Sequence, residues 1–501
     1  MNLVLGKKLS NTSVLVLVGA DVRGIERHPF AEQCPKEDRS YLHTALRGIQ
    51  IKPTLLRALV LPSGRKALVV GISAPIRHRH VITLVRRIVV AARAERIAEL
   101  ELYLPDFMTG KTALEDAAEL VAMQSELANF EFTKYKTPPP EGFFFVKRVI
   151  VHVPPGGGSG LAGALRHGQI IAEEVNHARM LSNTPAGDMV PATVARAAEM
   201  SGKRCGFRTK VFNQKEIARL KMGGVLGVAK GSAEQPRFIV MEYLKGPKNQ
   251  KPVVLVGKGV TFDSGGLNVK PGDYMNEMHM DMSGGAAVIH TVAALARLKV
   301  KRNIVGLVPA VENMPSGSSY RPGDLLKTMS GKTIEVGNTD AEGRVILADA
   351  LTYAKRYDPE LIIDVATLTG AAEVALGQRA SALFSTDEKL SRELIASGEA
   401  MGDYVWPLPL WEEYEDDIRG TFGDVSNTGK TRYGGAITGA VFLWQFIKAN
   451  GKEQIATSKK KVPDWIHLDI APRMVSIEGD HLAKGAAGAS IALITHFLRQ
   501  S

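Results

Sequence analysis

Cysteine is nearly absent: Cys34 and Cys205 are the two in 501 residues. That scarcity excludes a disulfide framework and any cysteine-rich metal site within one chain, and it fits a reducing, cytoplasmic setting. Long apolar runs are missing too. The nearest, "NTSVLVLVGADV" after Lys7 and Lys8, is far too short to span a bilayer and lacks a small-residue cleavage site, so it reads as a first buried strand. H-E-x-x-H does not occur, which disfavours a single-zinc protease of that type. With no G-x-S-x-G and no motif around either cysteine, a serine or cysteine hydrolase has little to build on.

What is present is the make-up of a soluble α/β protein: 45% apolar residues, with 49 glycines and 25 prolines spread along the chain. The length predicts two or three domains. The net charge of +11 is uneven, because residues 1–150 hold 22 Lys/Arg against 15 Asp/Glu. Much of this lies in "RHRHVITLVRRIVVAARAER". A basic face attracts phosphate, so DNA is one expected partner; a solvated helix face or a subunit contact is the plainer reading, since no aromatic-interleaved or recognition-helix pattern accompanies the charge.

From residue 13 to about 153, short apolar runs ("SVLVLVG", "KALVVGI", "VKRVIVHV") alternate with helix-like stretches, the pattern of an α/β unit. "PPGGGSGLAG" then precedes a helical pattern over residues 165–180, which marks a domain junction. Gly158, Gly160 and Gly163 satisfy G-x-G-x-x-G, but the acid expected at the end of a second strand is missing, so a hinge is the better reading than a nucleotide site. Beyond it, "RFIVMEY", "PVVLVG", "NIVGLVPA", "TIEVG" and "LIIDVATLTG" alternate with helices over about 283–298 and 341–357. Near-continuous apolar strands separated by helices predict a largely parallel sheet covered on both faces, with functional residues where strands end and helices begin. The one low-complexity stretch, "TSKKKV" at 457–462, reads as a solvated loop.

Three of those junctions carry acids: "VVLVGKGVTFDSGG" with Lys258 and Asp263, "MNEMHMDMSGG" with Asp281, and "NTDAEGR" with Asp340, Glu342 and Arg344. Alone, Asp281 reads as a helix cap. Together, four carboxylates at one end of a sheet would repel and raise one another's pKa unless cations lay among them. Two divalent ions would neutralise them; oxygen ligation suits Mn²⁺ or Mg²⁺ and admits Zn²⁺. Lys258 reads either as an ordinary salt bridge or as an amine ligand whose pKa local positive charge has depressed.

"GKGVTFDSGGLNVKPG", "MHMDMSGGAA", "MPSGSSYRPGD" and above all "NTDAEGR" closely resemble the leucyl aminopeptidase family, hexameric two-metal cytosolic exopeptidases. The likeness is dense over residues 183–469 and looser before. It implies a smaller N-terminal α/β (macro-like) domain at 1–157, a linker helix at 158–180, and a catalytic domain at 181–501 built as an α/β/α sandwich on a mixed, largely parallel central sheet. It implies one metal on Asp263, Asp340 and Glu342, assisted by the Asp340 carbonyl, and a second, more exchangeable one on Lys258, Asp263, Asp281 and Glu342. Lys270 and Arg344 match the family's two catalytic cations, with a bicarbonate at Arg344. Met278, Thr367, Leu368 and Gly370, with Lys270, match positions that line the substrate cleft. The implied activity removes N-terminal Leu, Met and other apolar residues from peptides with a free N-terminus, in a cytoplasmic homohexamer using Mn²⁺ or Zn²⁺, or Mg²⁺. Some bacterial relatives also bind DNA.

"WIHLDIAPRMVSIEGDHLAKG" keeps the family's "HLDIA" and then diverges, which leaves the role of residues 471–485 open. His467 and His481 there read as packed or hydrogen-bonded histidines before they read as metal ligands.

Overall fold

The computed structural model describes residues 1–500 apart from Asn11, Lys111, Pro155 and residues 449–461, so most of the lysine-rich "TSKKKV" stretch lies outside the described residues. The chain forms two compact units, Met1–Glu173 with Ile477–Lys484, and Glu174–Ser476 with Gly485–Ser501. The divergent stretch after "HLDIA" thus supplies a segment of the first unit.

In the first unit the strands are β1 (Asn2–Leu5), β2 (Val14–Gly19), β3 (Leu56–Val60), β4 (Lys66–Gly71), β5 (Glu99–Tyr103) and β6 (Arg148–His152). Their order is β1-β6-β5-β2-β4-β3, parallel throughout except for β3 against β4. The apolar run "VLVLVG" is β2, wholly buried as expected. Helix His78–Ala94 buries Val81, Val85, Ile88, Val89 and Ala92, one face at helical spacing.

Three arginines of that basic helix, Arg86, Arg87 and Arg93, and Arg96 just beyond it, bond within their own unit, whereas Arg79 is exposed. Arg86 donates to Gln124 Oε1 at 2.7 Å and to the Asp480 carbonyl, Arg87 to the carbonyls of Pro53 and Gly71, and Arg93 to that of Phe144 and to Glu131. Arg96 donates to the Glu141 carbonyl at 2.9 Å. A guanidinium carries five donors on a long apolar stem, so it can tie down loop carbonyls that no strand reaches.

In the second unit come β7 (Arg208–Phe212), β8 (Arg237–Leu244), β9 (Val253–Gly257), β10 (Gly259–Asp263), β11 (Asn303–Asn313), β12 (Leu325–Lys327), β13 (Thr333–Glu335), β14 (Leu361–Ala366), β15 (Ser381–Ser385), β16 (Val405–Pro407), β17 (Val425–Ser426) and β18 (Asp464–Asp469). Among the described residues the main sheet runs β16-β15-β18-β14-β9-β11-β8-β7, with β10 also on β11, and β12-β13-β17 form a small sheet. The centre, β11, β9, β14 and β18, is parallel; β8 against β11, β7 against β8 and β15 against β18 are antiparallel.

Alternation along β11 shows why its run is apolar throughout. Val305 and Leu307 join the core formed with Val345, Ile346 and Leu347 of helix Glu342–Ala354, whereas Gly306 lies against Val288 and Val292 of helix Ser283–Arg297. Each face of the sheet therefore carries a helix: the covering on both faces is what the strand pattern predicts, and the mixed α/β/α sandwich is what the family resemblance implies. It places the C-terminal ends of β9, β10 and β14 beside the starts of those two helices.

Candidate metal centre

Lys258 leaves β9 where Gly257 pairs with Val365 of β14. Its backbone N–H donates to the Val365 carbonyl, and its Nζ reaches the Thr367 carbonyl at 2.8 Å, Asp281 Oδ2 at 2.8 Å and Glu342 Oε1 at 2.8 Å. A Cβ on residue 343 would lie 2.7 Å from Lys258 Cε, so glycine in "AEGR" is what lets the lysine pass the helix start. Asp263 ends β10, and the chain turns back through Gly265, at φ 87°, to bring Lys270 Nζ to 2.9 Å from Asp263 Oδ2 and 2.6 Å from Asp340 Oδ1. Ligand oxygens of Asp263, Asp340 and Glu342 all lie within 4.8 Å of one another.

Asp281 follows the short turn Met278–Met280 and precedes helix Ser283–Arg297, yet it caps nothing: the helix has no side-chain cap, and Asp281 accepts from Thr367 Oγ1 at 2.6 Å. Met278 opens that turn half-buried. Thr367 and Leu368 follow β14, where the Leu368 N–H donates to Asp469 Oδ1 at 3.0 Å, and Gly370 begins the next helix, exposed. Arg344 is buried two residues after Glu342 in the first turn of the same helix; its Nη1 donates to the Asn427 carbonyl at 2.9 Å, and its Nε has no hydrogen-bond partner among the described residues.

The electrostatics follow from burial. Desolvation first, and then Asp263 beside it, push Glu342 up to about 8; burial lifts Asp281 to about 6 and raises Asp340. Burial opposes charge on the two lysines as well, but the surrounding acids outweigh it and raise both. As the chain stands by itself, Lys258 is a salt-bridged ammonium. Asp281 Oδ2, Asp340 Oδ1 and Glu342 Oε1 face these ammonium groups without accepting a hydrogen bond of good direction. Buried carboxylate oxygens in charge contact alone, with ligand spacing, form a donor set that fits hard divalent cations.

Several residues that hold this cluster have no sequence signature. Asn313 sits opposite Asp263 in the β10/β11 register, and its Nδ2 donates to Asp263 Oδ1 at 2.8 Å and to the Thr339 carbonyl at 3.0 Å. Tyr320 donates to the same carbonyl at 2.6 Å. Thr339 and Asn268 exchange bonds that lace the Asp263–Lys270 turn to the "NTDAEGR" loop. Asn427 accepts from the Gly337 N–H at 2.8 Å and donates to the Asn338 carbonyl at 2.7 Å, besides receiving Arg344. Asp–Asn register across β10 and β11 was the one signal available, and it needs the pairing to be known.

A second group, Glu174, His177 and His290, also has ligand spacing. There Arg204 grips both Glu174 oxygens at 2.8 Å and Arg297 adds a bond at 2.6 Å; burial opposes the charge, but hydrogen bonds from His177, His290 and Arg204 outweigh it and hold the carboxylate well below its usual range. Two guanidiniums on one carboxylate repel a metal cation, so this is a buried structural hub. His467 is likewise structural, with Nδ1 2.5 Å from Asp364 Oδ1 and its ring stacked on Trp465 and Phe384.

Residues 176–495 match the catalytic domain of the cytosol aminopeptidase family. The probable cytosol aminopeptidase of Azoarcus sp. (strain BH72) is 48% identical over 338 residues, 68% of this chain and 64% of that protein. That of Methylobacillus flagellatus is 44% identical over 390 residues, 77% of this chain and 75% of that protein. Among solved structures, the bottromycin maturation enzyme BotP in complex with Mn superimposes with a TM-score of 0.82 at 30% identity, covering 98% of this chain and 99% of that one. No described helix is long and apolar enough to cross a membrane. The chain belongs to the cytosol aminopeptidase family.

Proposed function

We propose that the chain is a leucyl aminopeptidase that removes N-terminal Leu, Met and other apolar residues from peptides through a two-metal centre, with the catalytic machinery in residues 181–501. The observation that carries this is the packing of four carboxylates and two lysines where β9, β10 and β14 meet two helix starts. Asp263, Asp340 and Glu342 would hold one ion, with the Asp340 carbonyl, and Lys258, Asp263, Asp281 and Glu342 the other. Manganese, which BotP binds, suits these oxygens; Zn²⁺ and Mg²⁺ are the alternatives. Divalent cations there would supply Lewis-acid polarisation of the scissile carbonyl and an acidified water nucleophile.

The chain's own residues do the rest. Lys270, held charged by Asp263, Glu342 and Asp340, faces the carbonyl oxygen as it becomes anionic. Arg344, whose buried Nε has no hydrogen-bond partner among the described residues, would hold a planar bicarbonate, an anion that would supply a proton acceptor near the metal centre. Met278, Thr367, Leu368 and Gly370 line the cleft, and an adaptable Met278 favours apolar side chains over acidic ones. A divalent ion held there would offer a coordination position to a substrate's free α-amine, which would restrict the enzyme to N-terminal residues.

Metal content per chain and leucyl amide hydrolysis, measured before and after chelation, test the proposal. Loss of both on chelation, recovery with Mn²⁺ or Zn²⁺, and inertness of N-acetyl-leucyl amide are expected; chelation-resistant hydrolysis would refute it. A homohexamer and a cytoplasmic setting are carried over with the family resemblance, and sedimentation and cell fractionation test them. A second role on DNA lacks a supporting observation, because arginines of the basic helix are engaged with carbonyls and side chains of their own unit.

Asn427 should act as a positioning residue. Asn427→Ala keeps the backbone carbonyl that receives Arg344 but removes the side-chain bonds to Gly337 and Asn338 that brace the "NTDAEGR" loop, so kcat on leucyl amide should fall on the order of 10–100-fold, as for lost supports behind metal ligands. Unchanged kcat would remove the role.

A further inference from the structure

In the first unit a cavity of about 350 Å³ lies beyond the C-terminal end of β4, lined on its polar side by Ser73, His80, Arg87 and His481, and with Ile76 and Leu84 among its apolar wall. No lining residue is acidic. Arg87 is fixed by the carbonyls of Pro53 and Gly71, two neutral acceptors, and its Nε has no partner among the described residues, so its positive charge stands without a bonded counter-charge. Neither imidazole and not the Ser73 hydroxyl has a hydrogen-bond partner among the described residues; Thr83, also in the lining, spends its hydroxyl on the His80 carbonyl.

Two further observations bear on the occupant. Helix His78–Ala94 starts at this cavity with no side-chain cap and no acid in its first turn, where carboxylates are ordinarily favoured. His481 has φ 52°, an uncommon region for a residue with a side chain, and it belongs to the segment Ile477–Lys484, which groups with the first unit although it lies far along the chain. Its neighbour Asp480 is buried and is not in the lining; the Asp480 carbonyl accepts from Arg86.

We propose that this cavity binds a phosphorylated small molecule, with its phosphoryl oxygens on Ser73 Oγ and the ring nitrogens of His80 and His481, in the field of Arg87, and its body against Ile76 and Leu84. A metal cation is disfavoured by the fixed guanidinium. Donors from three separate segments match the three oxygens of a tetrahedral phosphoryl group better than the two of a carboxylate, and a helix start adds partial positive charge. The volume is that of a small-molecule site.

Isothermal titration calorimetry of the full chain with ribose 5-phosphate, inorganic phosphate and ribose tests this. Ribose 5-phosphate is expected to bind about tenfold or more tightly than inorganic phosphate, with ribose alone silent. His80→Ala, an exposed truncation that leaves the core intact, and Thr83→Asp, which places a carboxylate in the cavity, should each weaken binding about tenfold or more while leucyl amide turnover stays unchanged. Phosphate held at the metal centre would survive both substitutions. Affinity unaltered in both variants, equal affinity for inorganic phosphate, or no binding at about 10 mM would overturn the proposal.

Discussion

Glu342→Ala should leave a folded protein that no longer holds two divalent ions per chain and has lost nearly all leucyl amide hydrolysis. Glu342 is 2% exposed, opens the helix Glu342–Ala354, and presents Oε1 to Lys258 while a ligand oxygen lies within 4.8 Å of those of Asp263 and Asp340. A residue in that position is shared by both proposed ion sites, so its removal weakens both at once. Lewis-acid stabilisation is worth several kcal/mol, so the rate should fall on the order of 10³-fold or more. The fold should survive, since the helix is anchored by Val345, Ile346 and Leu347 in the core and not by its first side chain. Elemental analysis after gel filtration gives the ion count. Two ions retained by Glu342→Ala would contradict the shared-ligand assignment.

Lys270→Ala should separate chemistry from metal binding. Its ammonium lies 2.9 Å from Asp263 and 2.6 Å from Asp340, so it competes with any cation those acids bind. Removing it should leave metal affinity undiminished or raise it. Turnover should nevertheless fall by about 10²–10³-fold, the usual cost of deleting a donor aimed at a developing oxyanion. Binding of leucyl substrates should change less than kcat, because the charge matters most once the carbonyl oxygen becomes anionic. Near-normal turnover with both ions present would remove Lys270 from the mechanism.

These two outcomes differ because the same ion-pair network can be cut at an acid or at a base. Cutting at Glu342 removes charge that holds cations; cutting at Lys270 removes charge that competes with them. Metal content and kcat measured together on both variants therefore distinguish a ligand from a catalytic cation, which activity alone does not.

Much of the site was legible before folding. Asp263, Asp281, Asp340 and Glu342 stand at apolar-to-helical transitions, and strand ends in a parallel sheet converge, so their assembly was predictable from position and charge. Asp281 illustrates the limit: in isolation it reads as a cap, and the Thr367 hydroxyl and Lys258 ammonium that claim it come from 86 residues later and 23 earlier. The basic helix marks another limit: its charge alone leaves open a solvated face, a subunit contact or a nucleic-acid partner, and does not tell that Arg86, Arg87, Arg93 and Arg96 bind carbonyls of their own unit.

Sequence by itself determined which chemistry this chain can perform: hard oxygen donors at strand ends, two lysines and an arginine among them, no nucleophilic serine or cysteine motif, and enough alternating apolar runs to build covered sheets. Those properties are local, carried by residue type and spacing of a few positions. Only the tertiary structure decided which groups support the site, such as Asn313 through the β10/β11 register and Asn427 across about 90 residues from the loop it braces. It also decided that Ile477–Lys484 returns to the first unit, bringing His481 to a cavity there. Such contacts are set by the packing of whole elements, and a single sequence records the residues at both ends of a long-range contact without recording that they meet.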